Sequence, residues 1–285
     1  MMSFFRSSVF VLSMGLLLSF NSCAKSHKNM NVCSDDVLSQ KLEKHAKNMN
    51  LVGQVYEKMS DRFKADISFD EDVVDDFVCD LDSLIKEEAS FRADDASLFY
   101  LIDKKHNIGS GYVPKDLVKL TKNSIFDISR NDLSLRPEAY ASLVQMAQAS
   151  KAQGVTLLVS STYRSYEYQE KLFEKWVRID GLEEAERESA RAGTSQHQLG
   201  LAVDFGSIDD SFAQTKMGEW MYENSSKYGW SLSFPKNYED VTGYRWESWH
   251  FRYVGVNAAR IQAKWFANVQ QYMLEFFDEW KKNTQ

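Results

Sequence analysis

The sequence contains few prolines, cysteines and histidines, with 3, 3 and 5 of them among 285 residues. It also lacks a basic stripe with interleaved aromatic residues, and its formal net charge is −7. Because binding to a phosphate backbone needs clustered Lys and Arg, this composition argues against a nucleic-acid partner. Hydrophobic residues make up 44% of the chain, which rules out wholesale disorder and allows a sizeable core.

The N-terminus has the pattern of an export signal. Residues 1–20 carry one charge, Arg6, and short apolar runs at 9–12 and 16–18. This segment is too short for a comfortable membrane span and is typical of a signal peptide, which we assign to residues 1–22. The following Ser22-Cys23 resembles a bacterial lipoprotein signal, with Cys23 as the lipidated first mature residue. The alternative is ordinary secretion with an incidental cysteine.

Either alternative predicts an exported protein of the cell envelope or periplasm. With lipidation, an anchor on Cys23 would hold the protein on a membrane. Cys33 and Cys79 then remain as an even pair in a possibly oxidising compartment. The sequence leaves open whether these two cysteines form a disulfide or remain as free, buried thiols.

Three further segments follow the signal peptide, and the length fits one good-sized domain with an appendage or two small domains. Residues 23–34 are polar and predict a tether. Apolar residues at helical intervals predict an acidic helical hairpin over residues 35–95. Between residues 66 and 95 there are 12 acidic and 2 basic residues. Such a face is typical of a solvated surface, and a partner surface is the alternative.

We predict that residues 96–285 form the main domain. β-type runs at 98–102, 155–160, 201–205 and 249–254 alternate irregularly with helical patterns, and one long C-terminal helix is expected through residues 261–280. Short strands without a βαβ rhythm favour the α+β class.

Two histidines lie in apolar runs with a carboxylate nearby. His197 precedes a glycine turn, and on the strand that follows, Asp204 shares a face with the small Ala202. A buried aspartate is costly unless it is paired or bound to a metal. His250 lies in an equally apolar stretch. Because catalytic zinc takes three protein ligands, these residues form a candidate zinc site.

Two charged residues could act beside such a metal. Glu247, three residues before His250, could exchange protons with the attacking water and the leaving group, and must then lie on a loop before the strand. Arg164 follows a strand end and could neutralise a substrate carboxylate or a developing oxyanion. Each has an ordinary alternative, since a lone buried histidine is more often a hydrogen-bonded core residue and a lone Glu or Arg a solvated charge. The residue pattern alone leaves both interpretations open.

Several motifs in one order resemble the VanY-type zinc D-alanyl-D-alanine carboxypeptidases. The resemblance covers roughly residues 97–260 and rests on Tyr112-Val-Pro114-x-Asp-Leu117, Tyr163-Arg-Ser-Tyr-x-Tyr-Gln169, Ser195-x-His197-x-x-Gly200-x-Ala202-x-Asp204, Glu247-x-Trp249-His250 and Arg252-Tyr253-Val254-Gly255. Three positions depart from the usual pattern, namely Thr162, Leu199 and Ser248. They put the substrate fit in doubt rather than the activity, because none removes a metal ligand or the base.

The resemblance implies a fold and a role for each matching residue. The fold would be a small antiparallel sheet flanked by helices, as in the zinc D,D-peptidases and hedgehog-like proteins. Zn²⁺ would be bound by His197, Asp204 and His250. Glu247 would be the general base and Arg164 the electrostatic stabiliser. The substrate contacts would be Ser195, Gln169, Tyr163 and Trp249.

The implied activity is removal of the terminal D-alanine from peptidoglycan stem peptides by metal-activated water. Relatives of this site differ in pocket shape, so L,D-carboxypeptidase or endopeptidase action on the same polymer is an alternative. A non-catalytic cell-wall-binding lipoprotein with a structural zinc is another. The presence of Glu247 and Arg164 argues against the last alternative, because a structural site needs neither.

Overall fold

A computed structural model describes residues 30–90 and 96–284, with side chains from residue 37 onward. The predicted signal peptide, the lipidation site Cys23 and residues 23–29 of the predicted tether lie outside the described residues, whereas residues 30–34 belong to the first helix. The α-helices in the described ranges are α1 (Met30–Lys58), α2 (Asp61–Asp66), α3 (Val74–Ser90), α4 (Pro137–Ala152), α5 (Tyr166–Asp180), α6 (Leu182–Glu188), α7 (Lys216–Asn224), α8 (Glu239–Thr242), α9 (Val256–Trp265) and α10 (Gln270–Thr284).

The strands form one small sheet and one short two-stranded pair. They are β1 (Val118–Lys119), β2 (Asp127–Ile128), β3 (Ser134–Leu135), β4 (Leu158–Ser161), β5 (Ala202–Phe205), β6 (Trp230–Leu232) and β7 (His250–Tyr253). The main sheet has the order β2-β4-β5-β7-β6 and is antiparallel except for the parallel edge pair β2 and β4. The α+β class expected from the sequence is confirmed.

The two faces of the sheet have opposite characters because side chains alternate along each strand. On one face, the Phe205 ring lies 6.1 Å from Trp230 and 6.0 Å from Phe251. Trp230 Nε1 donates to Ser142 Oγ on α4 at 2.9 Å, which attaches that helix to the apolar face. The other face presents the polar side chains of Asp204 on β5 and His250 on β7. The sheet therefore separates the core from the candidate site.

The N-terminal helices share a core with the C-terminal ones. Phe63, between α1 and α3, packs 5.0 Å from the ring of Tyr272 on α10. Phe77 on α3 packs 5.3 Å from both Trp265 and Phe276. All but one of these rings are nearly completely buried, and Trp265 is half-buried. Residues 52–84 are thus continuous with the core of the C-terminal helices.

Asp80 connects α3 to α9, and its contribution to the free energy of unfolding should depend on pH. Its carboxylate accepts hydrogen bonds from Arg260 Nη2 at 2.6 Å, Trp265 Nε1 at 2.7 Å and Lys264 Nζ at 3.0 Å. Partial burial opposes ionisation, but these donors outweigh it and lower the pKa of Asp80 to about 2. We expect Asp80→Asn to lower the free energy of unfolding at pH 7 by about 1–2 kcal/mol in urea titrations.

The sign follows from the depressed pKa. The contribution of Asp80 is complete above its unfolded pKa of about 3.9 and is lost as the pH falls through about 2. The difference between wild type and Asp80→Asn should therefore shrink on acidification. Asp82→Asn, an exposed change on the same helix, is the control and should stay within about 0.5 kcal/mol of wild type. A pH-independent difference would contradict this role of Asp80.

Two expectations for the main domain are wrong. The single C-terminal helix is divided into α9 and α10, because Ala267 and Asn268 adopt φ of 49° and 58°. Gln262 Nε2 bonds to the carbonyl oxygen and Oδ1 of Asn268 and stabilises this break. Residues 98–102 form no strand, since Arg252 Nη2 instead takes the carbonyl oxygens of Leu98 and Tyr100 at 2.7 and 2.9 Å.

Two observations bear on the N-terminal expectations. Within residues 30–90 and 96–284, no helix is both long and apolar enough to cross a membrane. Cys79 lies exposed on α3 as a free thiol. The side chain of Cys33 lies outside the described side chains.

Candidate metal centre

The motif around His197 folds as a short 3-10 helix, Gln196–Leu199, followed by a tight turn. Ser195 caps this helix, and its Oγ accepts a hydrogen bond from the His197 N–H at 3.3 Å. Gly200 ends it with a φ of 68°, a left-handed conformation that glycine adopts without a Cβ penalty. The turn leads directly into β5 and so places the histidine beside the polar face of the sheet.

Three buried side chains meet where β5 and β7 pair. Asp204 stands opposite His250 in register, and its Oδ1 lies 3.1 Å from His250 Nδ1. Asp204 Oδ2 lies 3.2 Å from His197 Nε2. The two imidazole rings cross at 84° with centroids 4.9 Å apart. One ligand atom from each residue lies within 4.8 Å of the other two.

The hydrogen bond made by His197 Nδ1 determines that Nε2 faces the cluster with its lone pair free. His197 Nδ1 lies 2.6 Å from the carbonyl oxygen of Thr162, which can only accept, so Nδ1 carries the hydrogen and Nε2 keeps its lone pair. His197 Nε2 and Asp204 Oδ1 are buried without a hydrogen-bond partner among the described residues. A lone pair and a carboxylate at such distances repel each other unless a cation lies between them. Two imidazoles and one carboxylate are a donor set that suits zinc.

The local electrostatics keep both kinds of ligand in the form that binds metal. Burial, with Arg164 as the second cause, lowers the pKa of His197 to about 4, so the imidazole is neutral at pH 7. Burial alone would raise the pKa of Asp204, but the neighbouring His197 and Arg164 hold it well below its usual range. A neutral imidazole and an ionised carboxylate are the states that bind a metal ion.

Glu247 lies on the loop that precedes β7. Its backbone N–H donates to the carbonyl oxygen of Phe234 at 3.1 Å, which fixes the loop against the residues after β6. Its Oε2 lies 3.5 Å from His250 Nδ1, and the residue is 7% exposed. Burial, followed by the charge of Asp204, raises the pKa of Glu247 well above its usual range. The carboxyl can therefore accept and hold a proton next to the metal cluster.

Arg164 reaches the cluster from the end of β4. Its Nη2 donates to Asp204 Oδ2 at 2.5 Å, and its Nε donates to Ser161 Oγ at 3.0 Å. Gln169 Oε1 lies 3.5 Å from Arg164 Nη1, while Gln169 Nε2 donates to the carbonyl oxygen of Ala190 at 2.7 Å. Gln169 thus lies behind the guanidinium and helps to hold it.

The cluster forms one wall of a cavity of about 290 Å³. Of the residues predicted to contact substrate, Ser195 and Trp249 line this cavity, and so do Arg164 and Glu247. Tyr163 and Gln169 are not among the described residues that line it. Gln169 is 1% exposed, and its side chain bonds to Ala190 and Ser189 instead.

The cavity wall also contains residues that the sequence did not single out for chemistry. Arg130 packs over the ring of Tyr168 at 5.6 Å, and Arg245 packs over the ring of Trp249 at 5.5 Å. Tyr168 belongs to the motif that begins at Tyr163, which was a usable signal. Arg130 and Arg245 are isolated charges in loops, and no spacing in the sequence distinguishes them from solvated ones.

Gly200 gives a test of the turn that positions His197. A Cβ at this position would lie 3.0 Å from Leu117 Cδ2 and 3.3 Å from Pro114 Cγ. We expect Gly200→Ala to lower the free energy of unfolding by about 2–4 kcal/mol, because left-handed strain and overpacking add.

Gly154→Ala is the matched control for Gly200→Ala. Gly154 has a similar φ of 78°, but a Cβ there would meet nothing within 4 Å. Gly154→Ala should lower the free energy of unfolding by only about 1–2 kcal/mol, which is the conformational part of the cost. Equal losses in the two variants, measured by urea unfolding, would show that close packing around Gly200 is unimportant.

The chain resembles known peptidases in sequence and structure. A family model described as VanY, D-alanyl-D-alanine carboxypeptidase, matches residues 132–256. YodJ of Bacillus subtilis (strain 168) is 36% identical over 171 residues, which cover 58% of this chain and 63% of YodJ. The solved LdcB LD-carboxypeptidase superposes with a TM-score of 0.57 at 32% identity, covering 64% of this chain and 86% of that one. A VanY D,D-pentapeptidase from a VanB-type resistance cassette, solved with Zn(II), gives a TM-score of 0.50 at 29% identity, covering 58% and 93%.

The shared fold and the buried cluster of two histidines and one aspartate define the class of zinc peptidases. Within that class, this chain belongs to the family that includes VanY and LdcB, because LdcB is 32% identical and is covered over 86% of its length. The match spans less than two thirds of several curated relatives, 63% of YodJ and 56% of a D-alanyl-D-alanine carboxypeptidase of Enterococcus faecium.

Proposed function

We propose that the protein is a zinc-dependent D-alanyl-D-alanine carboxypeptidase that removes the terminal D-alanine from peptidoglycan stem peptides. One observation carries the proposal. The unpartnered lone pair of His197 and the carboxylate of Asp204 face each other in a buried cluster, and the buried Glu247 lies beside it. A purely structural metal site has no use for a buried carboxyl with a raised pKa.

His197 Nε2, Asp204 and His250 Nδ1 would hold the zinc ion. Zinc bound there supplies a Lewis acid that polarises the scissile carbonyl and lowers the pKa of water. The hydrogen bond from His197 Nδ1 to Thr162 keeps the ligand nitrogen unprotonated and oriented. Arg164 holds Asp204 in place through its 2.5 Å contact.

Glu247 moves the protons in the proposed reaction. It takes a proton from the attacking water, whose oxygen bonds to the carbonyl carbon, and gives it to the amine of the departing D-alanine as the C–N bond breaks. The raised pKa of Glu247 suits this double role, because a carboxyl with a raised pKa holds the proton that it accepts until the amine departs.

Arg164 supplies positive charge on the cavity wall. It lines the cavity with its guanidinium and is 17% exposed in its side chain. In this position it stabilises the negative charge that develops on the carbonyl oxygen during attack. Its bond to Ser161 and its contact with Gln169 keep it aimed there without reorganisation.

Stem peptides of defined length test the proposal. The purified protein is incubated with pentapeptide and with tetrapeptide stems, each with and without a chelator, and the products are identified by mass spectrometry. We expect loss of one D-alanine from the pentapeptide alone, abolished by the chelator. Absence of cleavage of any wall fragment would favour a non-catalytic cell-wall-binding protein instead.

L,D-carboxypeptidase activity on the same polymer is the second candidate. It is favoured by the superposition on the LdcB LD-carboxypeptidase, whose TM-score of 0.57 exceeds the 0.50 for the D,D-pentapeptidase. In the same assay this activity would remove D-alanine from the tetrapeptide and spare the pentapeptide. An endopeptidase would instead cut cross-linked fragments internally.

We further propose that the protein is exported and held at a membrane of the cell envelope by a lipid on Cys23. The support is the short apolar core of residues 1–22 and the Ser22-Cys23 junction. In fractionated cells, the full-length protein should partition with membranes and Cys23→Ser should appear in the soluble envelope fraction. Membrane association that survives Cys23→Ser would contradict the lipid anchor.

A further inference from the structure

A chain of buried amides connects the candidate metal ligand His250 to helix α10. His250 Nε2 lies 3.3 Å from Gln196 Oε1, which also accepts a hydrogen bond from Ser233 Oγ at 2.7 Å. Gln196 Nε2 donates to Gln270 Oε1 at 3.1 Å, and Gln270 Nε2 donates to the carbonyl oxygen of Ser231 at 3.3 Å. The four side chains are 1–6% exposed, so water does not compete for these bonds.

The direction of every bond in this chain follows from its far end. The carbonyl oxygen of Ser231 can only accept, so the NH₂ group of Gln270 must face it. The Oε1 of Gln270 then faces Gln196, which must present its own NH₂ group in return. Gln196 Oε1 is thereby left to accept from His250, and the hydroxyl of Ser233 reinforces that orientation. The reversed orientation would place acceptor against acceptor at the Ser231 end.

We propose that Gln196 and Gln270 are positioning residues that fix the tautomer of His250. Since Gln196 Oε1 accepts, His250 carries its hydrogen on Nε2 and keeps the Nδ1 lone pair, which lies 3.1 Å from Asp204 Oδ1. This is the nitrogen that a metal in the cluster needs. His197 is set independently by the carbonyl oxygen of Thr162, so the two histidines have separate orienting partners.

The inference extends the candidate site beyond the family match. Gln270 lies on the first turn of α10, outside residues 132–256. Helix α10 packs against the N-terminal helices through Phe63 and Tyr272. The position of α10, and with it the end of the amide chain, is thus set by segments that the motifs do not include.

This inference takes the presence of a bound metal from the proposed function. Its first test is therefore a measurement that needs no metal. In the metal-free protein, nitrogen-15 NMR of the imidazoles distinguishes a hydrogen on Nε2 from one on Nδ1. We expect Nε2 of His250 to carry a hydrogen in wild type, because it faces Gln196 Oε1, and to lose it in part in Gln196→Met. A bare Nε2 in wild type, or an unchanged Nε2 signal in the variant, would overturn the proposal.

Zinc affinity gives the second readout, measured by competition with a chromophoric chelator. We expect Gln196→Met to bind zinc about 10–100-fold more weakly than wild type, and Gln270→Met to show a smaller loss. Because the residues act in series, the double variant should be no worse than Gln196→Met alone. Additive losses would mean that the two residues act separately and would contradict the chain.

Gln198→Met is the matched control. Gln198 lies on the same 3-10 helix, is fully buried, and donates to the carbonyl oxygens of Gly109 and Tyr112, away from the cluster. It should lose stability in urea as Gln196→Met does while keeping wild-type zinc affinity. An equal loss of zinc affinity in Gln198→Met would show that general destabilisation causes the loss, and it would contradict the positioning role of Gln196. If wild type binds no zinc, the proposed function fails and the tautomer measurement alone decides this inference.

Discussion

Glu247→Gln is expected to lose about 10²–10⁴-fold in kcat while the protein still binds zinc. The amide keeps the size of the carboxyl, but it cannot take a proton from water or return one to the leaving amine. Glu247 approaches His250 Nδ1 only to 3.5 Å, whereas Asp204 comes within 3.2 Å of both histidines. Zinc content should therefore remain near that of wild type, and the measurement pairs zinc content with steady-state release of D-alanine.

Glu239→Gln is the control for this variant. It removes the same charge from an ion pair with Arg187 on the surface, and Glu239 is not among the described residues that line the cavity. Its kcat should be that of wild type. A wild-type-like kcat in Glu247→Gln would refute the assignment of the base, and loss of zinc in that variant would make Glu247 a ligand instead.

Asp204→Asn is expected to abolish both zinc binding and activity. The amide is uncharged, so the cluster would lose its only carboxylate among three ligands, and Arg164 would lose the charge that it pairs with. In wild type, zinc at about 100 times its Kd should raise the free energy of unfolding by about 2.7 kcal/mol, and the variant should gain nothing. Urea unfolding with and without zinc measures this difference.

Asp75→Asn separates the loss of charge from the loss of a ligand. Asp75 lies on α3 and accepts from Asn48 Nδ2 at 2.8 Å, far along the chain from the cluster motifs. This variant should retain the full stabilisation by zinc. A zinc-dependent gain of equal size in Asp204→Asn would show that the metal binds elsewhere.

Local signals in the sequence made the metal cluster one of two open interpretations, and the family resemblance decided in its favour. His197 and His250 lie in apolar stretches where an unpaired imidazole is costly, and Asp204 follows the two-residue period of a strand. Pairing of β5 with β7 then brings Asp204 opposite His250 in register. The position of Glu247 on the loop before β7 also follows from its spacing, since residues three apart on a strand face opposite sides.

The supporting contacts could not be predicted in the same way. The partner of His197 is the backbone carbonyl of Thr162, which every residue type possesses. Gln270 is 74 residues from Gln196 in sequence, and a buried glutamine has no characteristic spacing. The break at Ala267 and Asn268 depends on a side-chain hydrogen bond from Gln262, which the helical period of the apolar residues does not reveal.

A zinc titration of the metal-free protein tests the account most directly. The protein is stripped with a chelator, zinc is added stepwise, and release of D-alanine from a pentapeptide stem is measured at each step. We expect no activity without zinc, followed by a rise that levels off at a single zinc ion per chain. Release of D-alanine that does not depend on zinc, or none at any zinc level, would contradict the proposed zinc-dependent activity.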